Sequence, residues 1–395
     1  MRAFFLALLV ALPALSGCLG GAEEETTPSF VWPEPIDVNE CVLTQPTNLT
    51  CEQRLNTTAA VVDYDTVGSD VFVTLLDGTI ARWDARGMQT VVNLTTSVST
   101  CHNEQGLLAL EPLSGLDNTT EVLIVYVEAG PCDPSHVSDV ILGRLSLDEG
   151  LDAIPEVLLR VPQVKRNHNG ADLHQTLDGT FLMSLGDGGG SGDPNGHGQN
   201  ASSLLGTVIH FALTNGSVSA VGNGSEDRDA LVLHHGLRNP FRMALDPTGG
   251  LWIADVGQRC WEEVNHLAAW NAPTNFGWSQ REGQMPFTSE ASCDTPLTEP
   301  EAGMTDPVLT YSHDAGRCSI LGGPWVEPSA LVPTGGFLYG DFCSGDVWVA
   351  HVGPEGIVET HIATTNFLIV GLGVAEDGAV LVSSWAGGVY AVALP

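Results

Sequence analysis

The sequence predicts an all-β chain folded as a single six-bladed β-propeller with inserted loops. Three observations carry that expectation. The 395 residues include 45 Gly and 23 Pro spread along the whole length, a composition that favours short strands and turns over long helices. No segment sustains an apolar period of 3.6 residues. A short unit also recurs, in which Asp and Gly form a turn ahead of an alternating or continuous apolar run.

The turn units are Leu76-Asp77-Gly78-Thr79-Ile80, Leu177-Asp178-Gly179-Thr180-Phe181-Leu182, Asp246-Pro247-Thr248-Gly249-Gly250-Leu251-Trp252-Ile253 and Glu376-Asp377-Gly378-Ala379-Val380-Leu381-Val382. Their uneven spacing, about one to two blade lengths, is what four-stranded blades with loop insertions produce. Two sandwiches in tandem would need a linker near mid-chain. No low-complexity break lies there.

Taken in chain order, residues 1–17 have the features of a signal peptide: Met1 and Arg2, then an apolar run from Ala3 to Leu15 that is short for a bilayer span. Leu15-Ser16-Gly17-Cys18 follows and resembles the lipobox of prokaryotic lipoproteins, with Cys18 as the lipidated residue. A plain secretory signal is the alternative. Residues 18–58 are expected to form the lipidated N-terminus and a tether, and residues 59–395 the propeller. That arrangement puts the chain outside the cytoplasm, lipid-anchored to the cell membrane or secreted.

Composition narrows the function. Against 48 Asp and Glu stand 14 Lys and Arg, a formal net charge of −34, which repels phosphate backbones and argues against nucleic-acid partners. With 43% hydrophobic and 16% charged residues there is ample material for a core, so disorder is not expected. The acidity suits a salty medium, where screening removes self-repulsion, and equally a secreted protein of low pI.

Setting Cys18 aside leaves Cys41, Cys51, Cys101, Cys132, Cys260, Cys293, Cys318 and Cys343, an even set for which disulfides are the default outside the cell. Proximity alone suggests Cys41 with Cys51 and Cys101 with Cys132. The absence of any CxxC pair argues against structural zinc.

Several catalytic motifs fail. There is no GxSxG elbow and no HExxH. Gly196-His197-Gly198-Gln199-Asn200-Ala201 matches a dinucleotide pattern but sits in a polar loop without a strand-turn-helix frame. Adjacent His234 and His235 would point to opposite faces of a strand and so cannot share one metal.

What remains is a set of unusual stretches: Asn167-His168-Asn169-Gly170-Ala171-Asp172, the loop from Gly186 to Pro194, Leu204-Leu205-Gly206, Gly236-Leu237-Arg238-Asn239-Pro240-Phe241-Arg242, Asp255-Val256-Gly257-Gln258, Trp261-Glu262-Glu263-Val264, Asn275-Phe276-Gly277-Trp278 and Gly340-Asp341-Phe342-Cys343-Ser344-Gly345. In this order they resemble the glucose/sorbosone dehydrogenase family, six-bladed propeller quinoproteins related to soluble PQQ-dependent sugar dehydrogenases. The likeness is greatest to the branch of hedgehog-interacting-protein-like propellers, and it runs from about Leu107 to Pro395.

The resemblance implies roles. His168 is the expected general base, taking the sugar hydroxyl proton as hydride leaves for the quinone; an imidazole titrating near working pH suits that task. Arg238 is expected to stabilise charge on the reduced quinone, with Asn239 contacting the cofactor. The carbonyls of Gly257 and Gln258 match the positions that hold a quinone-associated calcium. Glu263 and the Phe276 carbonyl match a second, structural calcium site, calcium being an ion that takes oxygen ligands from turns. Glu262-Glu263 could equally be a solvated acidic turn, and Asp187 and Asp193 are weaker calcium candidates, more simply turn formers.

One departure bears on activity. The family's cofactor-binding enzymes place a lysine and two arginines from late blades against the quinone carboxylates, and here Cys343, Val370 and Gly373 stand at those positions. At roughly 1.5–3 kcal/mol per charge-assisted contact the loss weakens PQQ binding unless Arg242, Arg259 or Arg281 substitutes. Two functions follow. One is an exported, membrane-tethered oxidoreductase that oxidises an aldose or polyol with PQQ and calcium and passes electrons to an external acceptor. The other is a calcium-stabilised propeller that binds a saccharide or protein partner without redox chemistry.

Overall fold

In the computed structural model the strands form six antiparallel blades. The described residues are 40–395 apart from 45–47, 68–69, 114–119, 223–224, 226 and 289–291. Cys18, the expected signal peptide and the first part of the expected tether lie outside them.

Each blade runs from an inner strand to an outer one. The inner strands are Val61–Val67, Leu107–Pro112, Gly170–Gln175, Pro240–Leu245, Ile320–Val326 and Ile369–Val374, and each touches the next around a closed ring. Blades 1, 2, 4 and 5 take their strands in simple order. Middle strands such as Glu121–Val127 are buried along nearly their whole length, because blades pack on both faces; this is why they are continuous apolar runs rather than alternating ones. Outer strands such as Gly356–Thr364 are largely exposed. The interblade core includes Leu123, Val125, Leu173, Phe181 and Phe211 between blades 2 and 3 and Trp252, Phe337, Tyr339 and Trp348 between blades 4 and 5.

The ring closes through blade 6. Its outermost strand comes from the other end of the chain, Thr50–Leu55, which pairs antiparallel with Val389–Ala393, and the Cys41–Cys51 disulfide pins that strand's start. The propeller therefore begins before residue 59, inside the segment expected to be tether. The strand Thr-Cys-Glu-Gln-Arg-Leu has an exposed polar centre, so it carries no core pattern of its own and is specified by its partner.

The other bridges are Cys101–Cys132, Cys260–Cys293 and Cys318–Cys343; the two pairings suggested by proximity are present. Four disulfides mark an oxidising, extracytoplasmic setting. The Asp-Gly turns lie where the pattern put them. In one, Asp246 Oδ1 accepts the N–H groups of Thr248 and Gly250 at 2.8 and 2.9 Å.

Two insertions shape one mouth of the ring. The loop between Phe181–Leu185 and Thr207–Thr214 carries the glycine-rich stretch. The long connection 268–308 in blade 4 pairs Thr274–Asn275 in parallel with His234–His235 of blade 3 and then forms the small hairpin Arg281–Glu282 with Met285–Pro286.

Candidate active site

His168 ends the crossing from blade 2 to blade 3 and is 5% exposed. Its backbone is left-handed, φ 54°, a conformation that disfavours a side chain with a Cβ. Two contacts hold it. The His168 N–H donates to Glu104 Oε2 at 2.6 Å, and the N–H of Gly170 donates to Asn239 Oδ1 at 2.9 Å.

The imidazole meets a carboxylate that the sequence did not single out as its partner. His168 Nδ1 lies 2.7 Å from Asp187 Oδ1, and Asp187 is 1% exposed. The Asp187 carboxylate also accepts the Gly189 N–H and, on Oδ2, the Trp278 indole N–H, both at 2.9 Å. Burial would raise this carboxyl, but His168 beside it, then Arg238 and the Gly189 N–H, hold it below its ordinary value. An ionised carboxylate can only accept, so Nδ1–H of His168 donates to Asp187. Among the described residues no hydrogen bond reaches Nε2. Asp187, read as a turn former, is thus the group that orients the His168 imidazole. The only local signal was its place in a glycine-rich loop; Gly186 is needed there because a Cβ would lie 2.0 Å from the His168 carbonyl oxygen.

Arg238 and Asn239 immediately precede the inner strand of blade 4, Pro240–Leu245. Their N–H groups donate to Asp255, at 2.9 Å to Oδ2 and 2.7 Å to Oδ1 respectively. Burial pushes the Asp255 carboxyl up to about 7 against those donors. The Arg238 guanidinium lies over the Trp278 ring, 5.6 Å from its centroid, donates to the Val256 carbonyl at 3.0 Å and makes only long contacts, 3.4 Å, to Gln258 Oε1. No carboxylate of the described residues pairs with it within 4 Å. It is a nearly buried cation that acts on Asp187 and Asp255 from beyond ion-pair distance.

Gly257 and Gln258 form the neighbouring turn, and among the described residues no hydrogen bond ends on either carbonyl oxygen. Glu262 and Glu263 are buried on the strand Trp261–Leu267, not a solvated turn: Glu262 Oε1 meets His313 Nε2 at 2.6 Å and Glu263 Oε1 accepts the Gly283 N–H at 2.6 Å. Burial, with Asp255 beside it, lifts the Glu263 carboxyl well above its usual range. Phe276 is buried against His234, and no hydrogen bond joins it to Glu263. Among the described residues no three His, Cys, Asp or Glu side chains gather to hold a metal ion, so a cation here would depend on carbonyl donors.

The candidate substitutes for the late-blade cations are committed elsewhere. Arg242 lies on the propeller axis, donating to the carbonyls of Val62 and Leu108 at 2.7 Å and Ala171 at 3.2 Å. Arg281 pairs with Asp306 at 2.8 Å and Glu301 at 3.4 Å, and Arg259 is exposed. At the departing positions, Cys343 is in a disulfide, Val370 is buried, and a Cβ on Gly373 would meet the Tyr64 ring at 2.8 Å. Asp172 lies away from His168, in the axial channel. There it meets His174 Nε2 at 3.0 Å and Arg242 at 3.8 Å, beside a cavity of about 120 Å³.

A closed six-bladed propeller whose mouth presents a carboxylate-oriented histidine, an arginine without a direct ion pair among the described residues and bare turn carbonyls has the architecture of a propeller dehydrogenase. The Glucose/Sorbosone dehydrogenase family profile matches residues 62–322, more than half of the chain. The chain belongs to that family.

Among curated proteins, it is 27% identical over 227 residues to the uncharacterized protein slr1608 of Synechocystis sp., a match covering 54% of this chain; the chain spans about half, 50%, of that relative's length. Solved structures share the fold. They include the PQQ-bound aldose sugar dehydrogenase of Streptomyces coelicolor (18% identity, TM-score 0.67, 91% of this chain and 99% of that one). Another is the apo soluble aldose sugar dehydrogenase of Escherichia coli (18%, 0.69, 88% and 100%).

Proposed function

We propose that this protein is an exported, PQQ-dependent oxidoreductase that oxidises a hydroxyl of an aldose or related polyol, tethered to the membrane through a lipid on Cys18. The observation that carries this reading is the His168–Asp187 pair, with no hydrogen bond on Nε2 among the described residues and Arg238 acting on the same carboxylate. His168 Nε2 takes the hydroxyl proton, and Asp187 balances the imidazolium that forms. Arg238 supplies positive charge where negative charge develops, in a nearly buried setting where it acts at its strongest. Asn239 Oδ1, through the Gly170 N–H, keeps the histidine loop against the arginine loop.

The residues fit the cofactor on two counts: among the described residues no carboxylate makes a direct ion pair with Arg238, whose guanidinium donates only to the Val256 carbonyl and, at 3.4 Å, to Gln258 Oε1, and no hydrogen bond ends on the Gly257 and Gln258 carbonyls. When bound, PQQ supplies the two-electron acceptor for the hydride, and an external acceptor reoxidises it. Calcium would be held by the Gly257 and Gln258 carbonyls, with Glu263 and the Phe276 carbonyl offering a second site.

The cation-free positions Cys343, Val370 and Gly373 favour one competing reading, a calcium-stabilised propeller that binds a saccharide or protein without redox chemistry. Calorimetric titration of the protein with PQQ in calcium buffer, followed by dye reduction with a panel of aldoses, separates the two. Submicromolar binding and sugar-dependent reduction are expected. No binding at PQQ concentrations on the order of 50 μM would overturn the oxidoreductase reading and leave the binding propeller.

A further inference from the structure

The turn from Gly257 to Trp261 is held from below by one carboxylate that neither the family motif nor the proposed chemistry uses. Glu282 is 1% exposed and lies on the small hairpin of the blade 4 insertion. Its Oε1 accepts four successive backbone N–H groups: Gln258 at 2.8 Å, Arg259 at 2.6 Å, Cys260 at 2.9 Å and Trp261 at 3.4 Å. The N–H of Gly257 is taken by a second buried carboxylate, Glu262 Oε2, at 3.1 Å. Five consecutive donors thus point inward.

A trans peptide unit is planar, with its C=O antiparallel to the N–H of the next residue. Fixing the Gln258 and Arg259 N–H groups on Glu282 therefore turns the Gly257 and Gln258 carbonyl oxygens away from it. That side is the mouth, where the Gln258 amide oxygen meets the Gly192 N–H at 2.9 Å and the Arg238 guanidinium. The turn is also tight: a Cβ on Gly257 would lie 1.8 Å from the Trp261 carbonyl oxygen. Glu282 Oε2, by contrast, is buried with no hydrogen-bond partner, a desolvation cost that an apolar residue would avoid. What an apolar residue cannot do is gather the loop's donors.

We infer that Glu282 is a positioning residue of the site: it fixes the 257–261 turn so that the Gly257 and Gln258 carbonyls face the cofactor. This rests on the cofactor reading above for what the carbonyls meet, but not for what holds them. Arranged in this way, the carboxylate fills from inside a concavity of N–H groups of the kind that elsewhere binds free anions.

The test compares the full chain with Glu282→Leu, close in size but without acceptors, and Glu282→Gln, which keeps one acceptor oxygen without the charge. Amide hydrogen exchange of the 257–261 segment is read together with calorimetric titration by PQQ in calcium buffer. Glu282→Leu should speed exchange in this segment while the inner strands stay protected, and should weaken PQQ affinity by at least about tenfold. Glu282→Gln should move both in the same direction by less, and it decides the matter if the leucine variant does not fold. Unchanged exchange in the turn overturns the proposal. So does an opened turn with unchanged PQQ affinity. Wild-type protein that binds no PQQ, with a turn that opens in the variants, refutes the cofactor reading while Glu282 stands as the organiser of the turn.

Discussion

His168 and Asp187 are joined at 2.7 Å by two different loops of the propeller mouth, and the aspartate is the more deeply buried of the two. The carboxylate is fully shielded and the imidazole nearly so, its side chain 6% exposed. Asp187→Asn should lower kcat by roughly 10²–10⁴-fold, because a side-chain amide can donate to Nδ1 and stabilise the wrong tautomer. His168→Ala should abolish sugar-dependent dye reduction. Steady-state assays at matched folding, checked by thermal melting, decide; full activity in either variant removes the pair from the chemistry.

Among the described residues no carboxylate lies within ion-pair distance of Arg238, although Asp187 and Asp255 feel its charge, so its removal breaks no direct ion pair. Arg238→Ala should weaken PQQ binding by about 10- to 150-fold, the equivalent of one charge-assisted contact of roughly 1.5–3 kcal/mol. The melting temperature should change little by comparison. An unaltered dissociation constant by calorimetry would show that the arginine serves the loop and not a ligand.

Arg242 ties the inner strands of blades 1, 2 and 3 through their carbonyls, and it faces Asp172. Arg242→Met leaves those acceptors and that carboxylate without their cation in the channel, a loss on the order of 3–5 kcal/mol. Urea unfolding monitored by tryptophan fluorescence reads it as a lower midpoint. A midpoint within error of wild type would mean that water replaces the guanidinium without penalty.

The axial channel also sets a pH dependence. Burial opposes protonation of His174, but Asp172, then Glu111 and Asp63, outweigh it and raise its pKa to about 9 from an ordinary 6.5. A raised folded-state value stabilises in full below pH 6.5, and the contribution is lost as pH rises through about 9. Glu111, pushed up to about 7 by burial, acts in the same direction over an earlier window, from about 4.5 to 7. Thermal midpoints should therefore fall between pH 6.5 and 9, by an amount on the order of 1–2 kcal/mol after solvent screening, and His174→Gln should flatten that slope. Equal slopes in the two proteins would refute the assignment.

Much of this architecture is legible one residue at a time. Asp-Gly turns and short apolar runs fix local backbone geometry through sterics and side-chain-to-backbone hydrogen bonds, which do not depend on distant residues. That is why the strand-and-turn pattern could be anticipated; two of the disulfides followed from proximity in the chain, and His168 and Arg238 were singled out only through the family resemblance of the motifs around them. What the chain order could not disclose is which groups those residues meet. Asp187 reaches His168 across 19 positions and Trp278 reaches Asp187 across 91. Thr50–Leu55 becomes a strand only against Val389–Ala393, at the other end of the chain. Glu282 and Arg242 find their N–H and carbonyl partners only once insertions and inner strands converge on the axis. Closure of the ring decides these contacts, because it brings loop ends from separate blades to one mouth and buries polar groups that must then satisfy one another.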